Sequence, residues 1–167
     1  MHPRGFTLIE LLVVIAIIGI LSSIVLLAIG NARQKGADAG IQGNLNTIRT
    51  MAEKYNIDNG FTYGVQAGTI DMGVNCSAVS GGMWGNSTIK AAVLAAEVQA
   101  GTPSSAGFGG NVGIKSACFS TATTWGIAVI LKSDLTKVWC VDSVGRAKIA
   151  NFSTVGNLGD QFNGCTW

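Results

Sequence analysis

Residues 5–29 read Gly5-Phe6-Thr7-Leu8-Ile9-Glu10, followed by LLVVIAIIGILSSIVLLAI. From Phe6 to Ile29 the only charged side chain is Glu10. As a helix, these roughly 24 residues extend about 36 Å at ~1.5 Å per residue, which is enough to cross a bilayer core of about 30 Å. The stretch therefore predicts a membrane-spanning helix that carries one carboxylate near its start.

Two common kinds of N-terminal segment explain this stretch incompletely. A secretory signal peptide has an apolar stretch of about 7–15 residues and a small-residue cleavage site, whereas this run is longer and lacks an Ala-x-Ala-like site. A simple anchor with Arg4 retained inside leaves Glu10 unexplained, because a carboxylate in a spanning helix costs roughly 2.5–3.5 kcal/mol. Cleavage after Gly5 supplies a partner, since the new amine of Phe6 can neutralise Glu10 of a neighbouring subunit in an apolar fibre core.

Residues Arg4-Gly5 and Phe6-Thr7-Leu8-Ile9-Glu10 resemble the prepilin cleavage and N-methylation site of type IV pilins and their pseudopilin relatives. The resemblance implies cleavage between Gly5 and Phe6 by an aspartic prepilin peptidase on the cytoplasmic face. It also implies N-methylation of Phe6 and a role for Glu10 in setting the axial register of subunits. The resemblance is close as far as about Gly60, and beyond that residue it rests on the layout of the chain.

An amphipathic segment continues the apolar helix over residues 31–59. Its apolar residues recur every three or four positions, which predicts one stripe packed against a core. The stripe consists of Ala37, Ile41, Leu45, Ile48, Ala52 and Tyr55. Gly36, Gly40 and Gly43 indicate either a close approach by a neighbouring helix or a loosely formed segment. Asp58-Asn59-Gly60 predicts the end of the helix.

The segment between this helix and the predicted strands, residues 60–115, is irregular and rich in Gly, Ser and Asn. Within it, Ser87 to Gln99 has the apolar spacing of a short helix, for which Ser87 or Thr88 can serve as the N-cap.

Residues 116–151 are rich in β-forming residues. The segments 125–131 and 137–141 flank a turn at 133–136, and 147–152 forms a further strand, which predicts antiparallel pairing. The fold class is therefore α+β. As in the pilin fold, the apolar half of the long helix is expected to protrude, and the amphipathic half to pack on a small antiparallel sheet.

Four segments follow from these patterns. Residues 1–5 form a prepilin leader, 6–30 the transmembrane or fibre-core half of the helix, 31–59 its amphipathic half, and 60–167 a globular head. In the head we expect a variable loop with a short helix, the sheet, and a C-terminal loop stapled by a disulfide.

The composition narrows the classes of function. Hydrophobic residues make up 48% of the 167-residue chain and charged residues 12%, and the net charge of +2 falls to about +1 when Arg4 leaves with the leader. The sequence shows no basic stripe, so DNA binding is possible but has no support from charge.

The cysteines are Cys76, Cys118, Cys140 and Cys165. In an exported head they predict two disulfides, and three pairings are possible. Pilins often staple the C-terminal loop back to the sheet, so the resemblance favours Cys140–Cys165 and leaves Cys76 to pair with Cys118.

The sequence predicts no enzyme, cofactor or metal site. It contains no CxxC motif, and its one histidine, His2, lies in the leader. Zinc binding therefore lacks the usual ligands, and catalysis that depends on histidine lacks its base. The remaining carboxylates are interpreted as solvated surface groups, with a calcium site in the Asp-containing loops, as in some pseudopilins, as the alternative. These residues are Asp58, Asp71, Glu97, Asp134, Asp142 and Asp160.

The resemblance implies a structural subunit of a type IV pilus that serves adhesion, motility or DNA uptake. Its partners would be further copies in a helical homopolymer, the membrane, the prepilin peptidase and the pilus assembly machinery. The precursor would lie in the cytoplasmic membrane with its head exported, and the mature form in an extracellular filament. The alternatives are a pseudopilin of type II secretion or DNA uptake, and a monomeric membrane-anchored surface binding protein.

Overall fold

The structure is a computed structural model that describes residues 5–65, 75–102 and 113–151 together with Cys165, apart from the side chain of Leu27. Its helices are α1 (Leu8–Asp58) and α2 (Ser87–Gln99), with short 3-10 turns η1 (Cys76–Ala78) and η2 (Gly82–Gly85) between them. The strands are β1 (Ser116–Ser120), β2 (Trp125–Ile130), β3 (Lys137–Asp142) and β4 (Ala147–Asn151). The chain forms two compact units, Met1–Gln34 and Lys35–Trp167.

Helix α1 is apolar and exposed in the first unit, where it is long and apolar enough to cross a membrane. In the second unit its apolar stripe is buried, with Ile41, Leu45, Ile48 and Ala52 fully inaccessible. Ala37 and Tyr55, at the two ends of the stripe, are half-buried. The predicted long helix and its packing against the sheet are thus confirmed.

The helix ends in the cap that Asp58-Asn59-Gly60 predicts. Gly60 has a φ of 73°, and the amide of Phe61 donates to the carbonyl of Asn56 at 2.8 Å. This bond between residues five apart and the left-handed glycine form a Schellman cap, which satisfies a carbonyl that the helix itself leaves open.

The four strands form an antiparallel meander in the order β1-β2-β3-β4. The turn between β2 and β3 falls where the sequence predicts it, and Ala128 lies opposite Cys140 in the register of the two strands. One face of the sheet packs on α1 and α2 in the main core, through Trp125, Ile127, Val129 and Val141. The other face carries a second core of Ala128, Ile130, Val138, Cys140 and Cys165, so β2 is buried on both faces.

Polar contacts attach α1 to both ends of the sheet. Asp38 accepts hydrogen bonds from the amide of Lys132 at 2.6 Å and from the amide and hydroxyl of Ser133, in the turn between β2 and β3. Arg49 donates to the carbonyl of Arg146 at 2.9 Å, in the turn between β3 and β4. The amphipathic half of α1 is therefore fixed to the sheet near residues 38 and 49.

Two predicted surface carboxylates are in fact buried. Glu97 is 4% exposed. Its carboxylate accepts hydrogen bonds from the hydroxyl of Ser116 at 2.5 Å and from the amide and hydroxyl of Ser77. Asp142 is 2% exposed and accepts from the amides of Val144 and Arg146 in its own turn. Interpretation as solvated groups was wrong for both residues, because peptide N–H and hydroxyl groups replace the water that each carboxylate loses.

The predicted N-cap of α2 is also corrected. The side chain of Asn86, not Ser87 or Thr88, accepts from the amides of Thr88 at 3.0 Å and Ile89 at 3.3 Å. Asn86 is the residue just before the first helical position, where a side-chain oxygen reaches the open amides of the first turn.

Disulfides link Cys76 to Cys118 and Cys140 to Cys165. The second of these bonds is reinforced by Asp142, whose carboxylate accepts from the amide of Cys165 at 3.1 Å. A covalent bond and a charge-assisted hydrogen bond therefore hold Cys165 against the second core.

Candidate processing and assembly site

The bond between Gly5 and Phe6 lies outside helix α1, which begins at Leu8. Phe6 is 81% exposed, and the space around Gly5 is open. An exposed bond outside regular structure is the kind of site that peptidases cut most readily. The local structure is therefore compatible with cleavage at this bond.

Thr7 and Glu10 form a reciprocal pair at the start of the helix. The carboxylate of Glu10 accepts from the amide of Thr7 at 2.9 Å and from its hydroxyl at 2.7 Å. The amide of Glu10 donates back to the hydroxyl of Thr7 at 3.3 Å. This arrangement is a capping box, in which two amides without helical partners are satisfied by side chains.

The capping box gives Glu10 a partner within its own chain. It holds the negative charge at the N-terminus of α1, where the helix dipole favours it, one turn after Phe6. This role was not predicted from the sequence, although Thr7-x-x-Glu10 is the sequence signature of a capping box. The pairing of Glu10 with the amine of a neighbouring subunit remains a prediction.

The helix that follows the capping box exposes a largely apolar surface. Among the side chains that the structure describes between Phe6 and Ile29, sixteen large hydrophobic ones are exposed, from Ile29 at 42% to Phe6 at 81%. Full burial of one such side chain stabilises by about 1.5–3 kcal/mol, so this surface requires lipid or protein around it. Ser23 directs its hydroxyl to the carbonyl of Ile20 at 2.7 Å, so its polar group is satisfied within the helix.

The other predicted site residues lie in the head and have structural roles. The four cysteines form the two disulfides, and none of the described residues belongs to a group of three or more His, Cys, Asp or Glu side chains suited to a metal. Asp71 and Asp160, and with them the calcium alternative in their loops, lie outside the described residues.

Among the described residues of the head, the pKa of Tyr63 is shifted most, and the hydroxyl of this residue donates to Glu53 at 2.8 Å. Burial raises its pKa to about 12, and the hydrogen bond to the Glu53 carboxylate acts in the same direction. The Tyr63 ring also meets Trp125 edge-on, with 6.4 Å between ring centroids. Tyr63 is thus a neutral core residue, and these contacts suit a structural role.

A long N-terminal helix packed against a small antiparallel four-stranded sheet is an α+β, pilin-like arrangement. Residues 1–26 match the family model of the prokaryotic N-terminal methylation motif. The chain thus carries a prepilin-type motif.

The chain is also similar to a protein described as the type IV wide pilus major component PilA4 of Thermus thermophilus, with 41% identity over 73 residues. That match covers 44% of this chain and 56% of the relative, so the chain spans little more than half of the relative's length. No solved structure gives a significant match.

Proposed function

We propose that this chain is a structural subunit of a type IV pilus, with no catalytic role. In this proposal a prepilin peptidase cleaves between Gly5 and Phe6, Phe6 is N-methylated, and an assembly machinery builds the mature chains into a surface filament. The observation that carries the proposal is the exposed Gly5–Phe6 bond, placed one turn before Glu10 and followed by an exposed apolar helix. The methylation motif and the pilus component from Thermus support it.

The physical basis of assembly is the transfer of the apolar surface of helix α1 from one apolar environment to another. Lipid surrounds the apolar helix in the precursor, and the helices of other subunits surround it in the filament. Because both surroundings are apolar, the hydrophobic burial of the helix is retained during transfer. The specificity must then come from polar groups, and Glu10 is the one ionisable side chain on this surface between Phe6 and Ile29.

Cleavage creates the second member of the proposed charge pair. The amine of Phe6 does not exist before processing, so an unprocessed chain cannot offer it to Glu10 of a neighbour. An ion pair in an apolar surrounding is much stronger than one in water, and a single unpaired charge there is costly. Subunits in the correct axial register would therefore be favoured over subunits that are shifted along the fibre.

The variant Glu10→Gln tests this role with the helix start retained. Glutamine also serves in a capping box, so the contact with Thr7 is kept while the charge is lost. We expect Glu10→Gln, like Glu10→Ala and Glu10→Val, to insert into the membrane normally and to give few or no filaments. The measurement is the amount of sheared filament relative to the membrane-bound chain on immunoblots.

Thr7→Val is the matched control, because it removes the capping hydroxyl and leaves the charge of Glu10. We expect filaments from Thr7→Val, with a modest loss in yield. Normal filament yield from Glu10→Gln would show that the charge has no register role. Sheared filaments in which this chain is a trace component would instead favour a minor pilin or pseudopilin, and a chain found only in membranes would favour a monomeric anchored protein.

A further inference from the structure

One end of the head unit, Lys35–Trp167, collects four of the seven lysines of the chain. The backbone fixes this grouping. Lys115 precedes β1 and its carbonyl accepts from Ile130 at the end of β2, while Lys132 and Lys137 lie in and after the turn that follows β2. Asp38 binds the amide of Lys132 at 2.6 Å, which brings the first turns of α1 in this unit, including Lys35, to the same end.

The last turn of α2 and the turn between β2 and β3 add apolar side chains to this end. The carbonyl of Glu97 accepts from the side chain of Lys115 at 3.2 Å. A methyl group of Leu135 lies directly over Gly101. Val98 is 72% exposed and Leu135 is 38% exposed. We define the basal surface as Lys35, Lys115, Lys132 and Lys137 together with Val98 and Leu135.

Among the described residues, the four lysines of the basal surface exceed by one the three carboxylates at this end, which are Asp38, Glu97 and Asp134. Asp38 and Glu97 are buried, and their carboxylates are occupied by amide and hydroxyl donors. Asp134, the carboxylate of the turn, pairs with Lys137 at 3.3 Å. Among the described residues, Lys35 and Lys132 form no ion pair. The opposite end of the unit is mixed, since Lys54 pairs there with Asp58 at 2.5 Å.

The chain enters the head unit at this same end, directly after the apolar run. Lys35 follows Ile29 by six residues, or about 9 Å along a helix at ~1.5 Å per residue. The headgroup layer of a bilayer occupies roughly 5–8 Å on each side of the hydrocarbon. A lysine side chain from this position can therefore reach lipid phosphates when the apolar run spans the membrane.

We propose that the basal surface binds the anionic surface of the membrane in which the precursor is anchored. Lysines supply the attraction to lipid phosphates, and Val98 and Leu135 supply apolar groups that enter the interface, a combination that favours binding at a bilayer surface. The contact would hold the head against the outer leaflet until the subunit is extracted for assembly. This inference rests on the membrane-anchored state under Proposed function.

The test uses the full chain in lipid nanodiscs and a lipid with gadolinium on its headgroup. Paramagnetic broadening of the methyl signals of Val98 and Leu135 reports their contact with the surface. We expect broadening at least about fivefold stronger in discs containing phosphatidylglycerol than in discs of phosphatidylcholine alone, because one lysine contributes about a fivefold preference. Salt at 0.5 M, at which the Debye length is roughly 4–5 Å, should remove most of the difference. Val144, an exposed residue in the turn between β3 and β4, serves as the internal reference.

The decisive comparison is between two double variants that each lose two lysine charges, one on the basal surface and one away from it. The double variant Lys35→Gln and Lys132→Gln should lose the preference for phosphatidylglycerol, whereas Lys54→Gln with Lys90→Gln should retain it. Equal broadening in both kinds of disc, equal effects of the two double variants, or broadening of Val144 as strong as that of Val98 would overturn the proposal.

Two further results distinguish a basal contact with lipid from failed insertion and from general affinity for polyanions. A chain that does not enter the discs would contradict the anchored state as well, whereas entry without basal contact would contradict only this inference. Duplex DNA that shifts the same signals in micelles as strongly as phosphatidylglycerol discs do would identify a general polyanion site and overturn the assignment to lipid.

Discussion

The two halves of helix α1 share one backbone conformation and have opposite surroundings. Between Leu8 and Ile29 the large apolar side chains that the structure describes are exposed, while Ile41, Leu45 and Ile48 are completely buried. The first half is fixed by its own hydrogen bonds and the capping box at Thr7, and the second half by the sheet. Only the second half therefore obtains its stability from the fold of its own chain, and the first half depends on what surrounds it.

The largest effect that tests this comparison is expected from a pair of leucine truncations. Leu45→Ala removes a fully buried side chain and should lower the free energy of unfolding of the head by about 2–5 kcal/mol. Leu12→Ala, at a position 55% exposed, should leave it within about 0.5 kcal/mol. Chemical denaturation of the full chain in micelles, followed by tryptophan fluorescence, measures both. Similar losses from the two variants would contradict the division between the halves.

The buried carboxylate Asp38 provides the next largest effect. Asp38→Ala removes the buried carboxylate that accepts from the amides of Lys132 and Ser133, and it should cost about 1–3 kcal/mol, because hydrogen bonds to a charged acceptor contribute more than neutral ones. Asp134→Ala, in the turn that Asp38 binds, removes a more exposed carboxylate and should cost less than Asp38→Ala, because solvent screens exposed ion pairs. The same denaturation experiment compares them, with hydrogen exchange at Lys132 and Ser133 as the local readout. Unchanged exchange in Asp38→Ala would show that the contact contributes nothing.

A pH dependence follows from the pKa of Tyr63, which is raised to about 12 in the folded chain. A raised pKa means that the folded state holds the proton more tightly, so the contribution is complete below about pH 10, the pKa of an unperturbed tyrosine. It is lost as the pH rises from about 10 to 12, and at pH 11 the loss is roughly 1 kcal/mol. Tyr63→Phe should remove this part of the decline. Parallel stability curves for the two proteins between about pH 9 and 11.5 would refute the assignment.

The smallest expected effects on stability come from alanine substitutions of two glycines in the second half of α1. Gly43 has open space where a Cβ would lie, so Gly43→Ala should stabilise by about 0.5–1 kcal/mol through helix propensity. At Gly40 a Cβ would lie 1.7 Å from the side-chain oxygen of Gln99, which must rotate away. Gly40→Ala should therefore gain less than Gly43→Ala, or lose stability. Thermal unfolding of both variants measures the order, and a larger gain at Gly40 would contradict the observed packing of α2 on α1.

The regular elements were predictable where one physical signal dominates. The apolar spacing from Ala37 to Tyr55, the end signal at Asp58, and the two β-forming runs of β2 and β3 on either side of a turn each have a single structural interpretation. Strand β4 was predicted to begin at Ala147, where it does begin, and to extend to Phe152, which lies outside the described residues. Strand β1 was placed only within a β-rich region, because Ser116–Ser120 is short and its neighbours carry no clear turn signal.

The polar interior was not predictable in the same way. Glu97 looks like a surface residue in the sequence, because its donors Ser77 and Ser116 are distant along the chain. Asp142 accepts from amides of its own turn and also from the distant amide of Cys165. The same limit applies to Trp84, which lies in an irregular stretch and yet is 1% exposed against Trp125. The capping box, by contrast, is a local pattern that could have been identified from Thr7 and Glu10 alone.

The central claim is that this chain leaves the membrane as a processed subunit of a filament. The most direct test is mass spectrometry of protein sheared from the cell surface, on the intact chain and its N-terminal peptide, under non-reducing conditions. We expect a chain that starts at Phe6, carries one added methyl group, and is four hydrogens lighter than the reduced form because of its two disulfides. A chain that retains Met1 and occurs only in the membrane fraction would contradict the claim.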